Sequence, residues 1–161
     1  MNVLKCARPK PPTFASVCVH RLLRDTAWLL RSEERLSGVT VDIQGHDDVV
    51  LPADSEQLQQ AFLNLFMNAA QAMGNSGVIR VTVQAKGDRC EVAIADHGHG
   101  VPRDLRDRIF EPFFTTKTRG TGLGLAIVKR IVERHGGSVD LASSSERGTT
   151  VVVTLPLAPS V

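Results

Sequence analysis

Several features are scarce in this chain of 161 residues, and each absence removes a class of protein. Its longest apolar runs fall far short of the ~20 residues that a membrane-spanning helix needs. Cysteine occurs only as Cys6, Cys18 and Cys90. An odd number at wide, unpatterned spacing suits reduced thiols in the cytosol, not a disulfide framework or a zinc site. Charge of one sign is also missing: 19 Lys and Arg stand among 17 Asp and Glu, for a net +2. No basic stripe of the kind that grips nucleic acid results. Only Arg103–Arg108 and Lys117–Arg119 are locally basic, and they flank a glycine-rich segment. Met1–Pro12 has basic residues but no apolar stretch with a small-residue cleavage site, so it does not read as a secretory signal. Internal repeats and low-complexity segments are absent.

What is present describes one soluble domain, with 42% hydrophobic and 22% charged residues. Pro9, Pro11 and Pro12 make residues 1–13 an expected linker, with the folded domain over 14–161. Apolar residues at helical spacing predict a helix from Ser16 to about Arg35, stopped by Gly38. Val39–Ile43 and Val49–Leu51 read as strands joined by the polar turn Gln44–Asp48. Asp54-Ser-Glu-Gln57 has the form of a capping box and opens a long helix. Its apolar stripe runs Leu58, Ala61, Phe62, Leu65, Ala69, Ala72 and Met73, beside a polar stripe of Gln57, Gln60, Asn64, Asn68 and Gln71. Two alternating segments, Val78–Ala85 and Cys90–Ala95, form a hairpin across Lys86-Gly-Asp-Arg89. Pro102 opens a short helix, and Phe110–Lys117 reads as a mobile loop. A last helix from Leu123 to His135 and strands over Ser138–Ala142 and Thr149–Leu155 complete the chain.

Three motifs carry chemistry. Asp96-His-Gly-His-Gly100 follows a strand, where a carboxylate can accept a hydrogen bond from the exocyclic amine of adenine while the glycines admit backbone close to the base. Guanine offers an acceptor at that place, so an aspartate selects adenine. Gly120-Thr-Gly-Leu-Gly-Leu125 precedes a helix start, whose free amides and dipole suit phosphate oxygens. It is neither the Lys-terminated phosphate loop nor the dinucleotide fingerprint. Asn68, mid-helix, offers a neutral oxygen of the kind magnesium accepts beside water and phosphate.

In series these segments resemble a known family. Asn64-Leu-x-x-Asn68-Ala69 resembles the N box, Asp96-x-Gly98-x-Gly100 the G1 box, Phe110-x-Pro-Phe113-Phe114 the F box, and Gly120–Leu125 the G2 box of sensor histidine kinases. Order and intervals match, and the resemblance runs from about Phe14 to Pro156, with Gly148-Thr149 near its close. The family is the catalytic, ATP-binding domain of two-component kinases, within the superfamily that also holds gyrase, Hsp90-type chaperones and mismatch-repair ATPases. Thr115-Thr-Lys117 and Asn68–Met73 are most similar to the nitrogen-regulation type.

The resemblance implies an α/β (α+β) two-layer sandwich, the Bergerat fold: a mixed sheet with three main helices on one face and a mobile ATP lid from Val101 to Gly120. It implies that Asp96 binds adenine beside Gly98, Gly100 and Thr149, that Asn68 holds Mg2+, and that Asn64 borders the phosphates. Gly120, Thr121, Gly122, Leu123, Gly124 and Leu125 would wrap the phosphates of ATP, with ADP as product. Lys117 would reach the terminal phosphate, next to Thr115, while Phe110 and Phe113 anchor the lid. Catalysis would fall to Asn64 and Lys117. Gln71 stands where many members have a basic residue, which shifts weight to Lys117, and His99 stands between the G1 glycines where a small residue is common.

No histidine lies in a His-Glu-x-x-Pro context, so the phosphoacceptor is expected on a helical dimerisation domain ahead of Met1, with Cys6-Ala-Arg-Pro-Lys-Pro-Pro as its linker. The expected partners are that domain and a response regulator receiver domain, with no nucleic acid, no direct membrane contact, and an isolated monomer in the cytoplasm. Three functions compete: phosphoryl transfer to a histidine elsewhere, an ATP-hydrolysing switch, and a regulatory ATP-binding module. The switches resemble one another in placing a water-activating glutamate four residues before the metal asparagine, where this chain has Asn64. An amide cannot take a proton, which favours the kinase.

Overall fold

The computed structural model describes residues 11–112 and 124–158. β1 (Ala15–Cys18) runs directly into α1 (Val19–Arg31), a 3-10 turn at Glu34–Leu36 follows, and then come β2 (Val39–Gly45), β3 (Val50–Ala53) and α2 (Ser55–Ala72). β4 (Gly77–Lys86) and β5 (Arg89–Ala95) form the predicted hairpin, and a 3-10 segment spans Arg103–Arg108. α3 (Gly124–Arg134), β6 (Ser138–Ser145) and β7 (Gly148–Pro156) close the domain.

The main sheet has the order β2-β4-β5-β7-β6, with β2 parallel to β4 and every other pair antiparallel. Alternation along its strands explains why only one face is covered. Ile79, Val81 and Val83 of β4 and Cys90, Val92 and Ile94 of β5 are buried, while Arg80 and Gln84 face outward. All three helices pack on that face, α1 against β2, α2 against β4 and β5, and α3 against β6 and β7. Leu23, Leu30, Phe62, Phe66, Val128 and Val132 fill the space between the layers in one core. The two-layer sandwich with a mixed sheet is therefore the fold that is found. Burial, with Glu91 beside it, pushes the Cys90 thiol up to about 11, so this cysteine is a protonated core residue.

One expectation, the bounds of the first helix, needs correction. Residues 16–18 belong to a strand, not to a helix, because Ser16, Val17 and Cys18 pair antiparallel with Pro52, Leu51 and Val50. α1 also ends at Arg31, short of Arg35. β2 and β3, although joined by a polar turn, do not pair with each other: β2 runs parallel to β4 from Val39↔Gly77 to Gly45↔Val83, and β3 pairs with β1. Long-range partners decided what local turn chemistry left open.

The start of α2 is held from several sides. Asp54 Oδ1 accepts from the Gln57 amide at 3.1 Å, as half of the capping box, and Oδ2 accepts from the Thr13 amide at 2.8 Å. The Asp54 amide donates to Nε2 of His135 at 3.0 Å, and His135 Nδ1 donates to the Ile131 carbonyl at 2.8 Å. These partners fix the tautomer with hydrogen on Nδ1. His135 is 4% exposed and its ring stacks on Phe14 at 5.0 Å. The end of α3 is thereby fastened to the start of α2.

Burial pushes the Asp54 carboxyl up, but the amides of Thr13, Gln57 and Glu56, aided by His135, outweigh it and hold the group below its usual value of 3.8. A folded-state value below the unfolded one means that the cap's contribution is complete above the unfolded value and is lost as pH falls through the folded value. Asp54→Ala is expected to cost about 1 kcal/mol near neutral pH. The cost should shrink towards zero as pH falls through the lowered folded-state value, where the carboxylate becomes protonated in both states. Urea unfolding of both proteins across that range checks this, and a difference independent of pH would exclude a charged cap.

Candidate nucleotide-binding site

The turn after β5 has almost no space that is not backbone. The Asp96 amide donates to the Thr149 carbonyl at 2.9 Å, continuing the ladder between β5 and β7 by one residue. Asp96 Oδ1 then accepts from the amides of Gly98 at 2.8 Å and Thr149 at 3.2 Å. Both bonds fall on one oxygen, so the carboxylate is oriented and no described residue donates to Oδ2. A carbon on Gly98 would lie 2.6 Å from both the Cβ and the carbonyl oxygen of Ala72 in α2. Gly100 has φ +80°, and a Cβ there would lie 2.0 Å from the Ser145 carbonyl oxygen. The turn is thus clamped between the end of α2 and the β6–β7 hairpin, with an oriented carboxylate at its root.

α2 supplies the rest of the described site. Asn64 and Asn68 are half-buried and one turn apart, and Gln71 is exposed beyond them. The Asn64 amide donates to the Gly124 carbonyl at 3.4 Å, which brings this stripe to the first residue of α3. From Asn64 to Ala72, the residue that Gly98 touches, the helix rises ~12 Å. One helix therefore borders both the Asp96–Gly100 turn and Gly124. Phe110 and Leu125 are half-buried and pack against the core, and Thr149 is half-buried beside Asp96. Val101 follows the turn, and its amide donates to Ser144 Oγ at 2.7 Å. Phe113, Thr115, Lys117, Gly120, Thr121, Gly122 and Leu123 lie outside the described residues, as does the whole of the expected lid beyond Pro112.

Among the described residues no group of three or more His, Cys, Asp or Glu side chains could hold a metal. What the site offers is a half-buried helical amide, Asn68. A neutral oxygen donor of this kind fits magnesium, which keeps waters and takes phosphate oxygens for most of its shell.

Sequence reasoning missed Arg106, Ser144 and Ala72 as neighbours of the turn. Ser144 sits in a run of three serines that reads as strand, Arg106 in a basic cluster that reads as solvated surface, and Ala72 in an apolar stripe. None carries a local signal, because each acts through backbone that the fold brings to it. Gly124 is the reverse case: a Cβ there would meet no described atom within 4 Å, so packing does not require the glycine. Gly124→Ala is expected to leave thermal stability unchanged or raised, since alanine favours a helix by about 1 kcal/mol over glycine. It should nevertheless weaken ADP binding several-fold by crowding the approach of phosphate. Paired melting curves and calorimetry check both parts, and unchanged affinity would remove Gly124 from the site.

A sheet covered on one face, an aspartate–glycine turn and an asparagine-bearing helix beside a glycine motif define a nucleotide-binding catalytic domain. The family described as histidine kinase-, DNA gyrase B- and HSP90-like ATPases matches residues 53–159, and the chain belongs to it. The sensor histidine kinase ZraS of Escherichia coli K12 is 36% identical over 157 residues, which is 97% of this chain and 34% of ZraS. The chain thus spans about a third of the length of such relatives. The catalytic domain of histidine kinase ThkA superposes with a TM-score of 0.82 at 31% identity, covering 91% of this chain and 97% of that domain. Full-length ShkA in complex with AMPPNP gives 0.80 at 32% identity over 96% of this chain and 34% of ShkA. ThkA in complex with the response regulator protein TrrA gives 0.80 at 26% identity, over 96% of this chain and 45% of ThkA. The fold is that of histidine kinase catalytic domains, and the domain is an ATP-binding one.

Proposed function

We propose that this domain binds ATP with magnesium and presents the terminal phosphate to a histidine on a helical dimerisation domain of the same kinase, from which it passes to a response regulator receiver domain. The observation that carries the reading is Asn64. At the place where hydrolysing relatives would hold a glutamate, this chain holds an amide that donates to the Gly124 carbonyl. A donor in that position cannot activate water. Asp96 Oδ2 accepts from the adenine amine, Gly98 and Gly100 admit the base, and Thr149 supports the carboxylate. Asn68 would hold magnesium, which when bound would supply charge neutralisation at the phosphates. Asn64 borders the phosphates and Lys117 contacts the terminal one, with Gln71, Val101, Phe110, Phe113, Thr115 and the residues Gly120–Leu125 around them. Catalysis is then positioning and electrostatics, with no covalent step in this chain.

The segments Thr115–Lys117 and Asn68–Met73 support placing the chain with the nitrogen-regulation type. On this reading residues 1–13 link the catalytic domain 14–161 to the phosphoacceptor domain. The domain acts in the cytoplasm as a monomer when isolated, without touching nucleic acid or membrane.

The test supplies radiolabelled ATP and magnesium to the chain together with a helical hairpin domain whose own catalytic domain is disabled. Acid-labile phosphohistidine should appear on the hairpin and not on the chain. Brisk ATP turnover by the chain alone would sink the kinase reading in favour of a hydrolase.

A further inference from the structure

On the outer side of the glycine turn lies a cleft of about 460 Å³, lined by His99, Val101, Arg103, Arg106, Ser144 and Glu146 among others. Arg106 is half-buried there and forms no ion pair among the described residues. Its guanidinium is spent on backbone: Nε donates to the Val101 carbonyl at 3.1 Å and Nη2 to the Ser144 carbonyl at 2.5 Å. Those carbonyls belong to the two segments that hold Asp96. Val101 ends the turn, and its amide returns to Ser144 Oγ at 2.7 Å. Ser144 Oγ shares a hydrogen bond of 2.9 Å with the Thr149 hydroxyl, and the Thr149 amide donates to Asp96 Oδ1.

A continuous chain of contacts therefore runs from the arginine fork to the carboxylate. The segments it joins are soft by composition. Gly98 and Gly100 lie in the turn, Gly148 precedes Thr149, and Gly100 and Gly148 have φ of +80° and +136°. Such backbone needs an external tie to hold one geometry. A planar guanidinium supplies two donors at fixed angles, which a lysine ammonium cannot reproduce across two separate carbonyls.

We propose that Arg106, acting through Ser144 and Thr149, is a positioning residue for base selection: it holds Asp96 so that Oδ1 remains occupied by two amides and Oδ2 faces the exocyclic amine of adenine. The inference rests on the reading of Asp96 as the adenine acceptor. Arg106 touches neither base nor phosphate in this scheme. It sets how well the site tells a purine with the amine from one without it.

The test measures, on the full chain, binding of ADP and of purine riboside 5′-diphosphate, which lacks that amine, by calorimetry. The wild type should prefer ADP by tenfold or more. Arg106→Ala and Arg106→Lys should each cut that preference below threefold while changing affinity for the amine-free analogue less than twofold, and Ser144→Ala should fall between. Should Arg106→Ala not fold, the lysine and serine variants report the same ratio. Arg106 variants that keep the wild-type preference, whatever their absolute affinity, would overturn the proposal and leave Arg106 a structural brace. Asp96→Asn separates the two levels: it should erase the preference. A preference that survives Asp96→Asn would show that Asp96 does not read the amine, and would overturn the assignment and the inference together.

Discussion

Asn68→Ala should lower transfer of phosphate to a histidine-bearing hairpin domain by at least a hundredfold, while magnesium-free ADP binding changes only a few-fold. The asymmetry follows from what the side chain does in the proposed site. There its oxygen would be a magnesium ligand, and losing a metal's charge from a phosphoryl-transfer site removes several kcal/mol of stabilisation. The base end of the nucleotide would be held elsewhere, by a turn fixed against Ala72, Thr149 and Ser145. Asn68→Asp should recover part of the activity, since a carboxylate also binds magnesium, although in a mid-helix position it adds charge near the phosphates. Phosphotransfer by Asn68→Ala at more than a tenth of the wild-type rate would remove the metal role from this residue.

Asp96→Asn is expected to weaken ATP binding tenfold or more, about 1.4 kcal/mol or above. The carboxylate accepts from the amides of Gly98 and Thr149, and on the proposed reading it must also accept from the adenine amine. Asparagine has one acceptor oxygen and one donor group. If its oxygen serves the two amides, its NH2 faces the adenine amine, and if it flips, the NH2 faces the two amides. Either orientation sets a donor against a donor. Guanine carries an acceptor where adenine carries the amine, so GTP affinity should hold or rise in the same variant. Calorimetry with both nucleotides decides, and an equal loss for ATP and GTP would mean a disturbed turn in place of a lost base contact.

Much of the fold around the candidate site was legible from single residues because their chemistry is local. Asp54 announces a helix start by its position three residues before Gln57, and the observed bond confirms it. The period of α2 placed Asn64 and Asn68 on one stripe, and the hairpin of β4 and β5 followed from alternation around Lys86–Arg89. What sequence did not disclose is which backbone lies beside which. Residues 16–18 continue a helical period, yet their pairing with β3 makes them a strand. Nothing in Val39–Gly45 indicates that its partner begins at Gly77, because a parallel neighbour requires a crossover and leaves no turn signature. Arg106 was hidden for the same reason, since its partners are carbonyls, which every residue possesses, and Ser144 because it meets the Val101 amide and the Thr149 hydroxyl only once the fold brings them together.

The bond between His135 and Asp54 joins two helices at their ends. The far end of α3 is fixed to the cap of α2, whereas its first residue, Gly124, meets no described atom at the place where a side chain would project. Between those ends Val128, Ile131 and Val132 are buried in the core, and the Asn64 amide holds the Gly124 carbonyl, so the helix is held along its length. A ring buried under Phe14 thus ties the helix that opens at Gly124 to the start of the helix that bears Asn64 and Asn68.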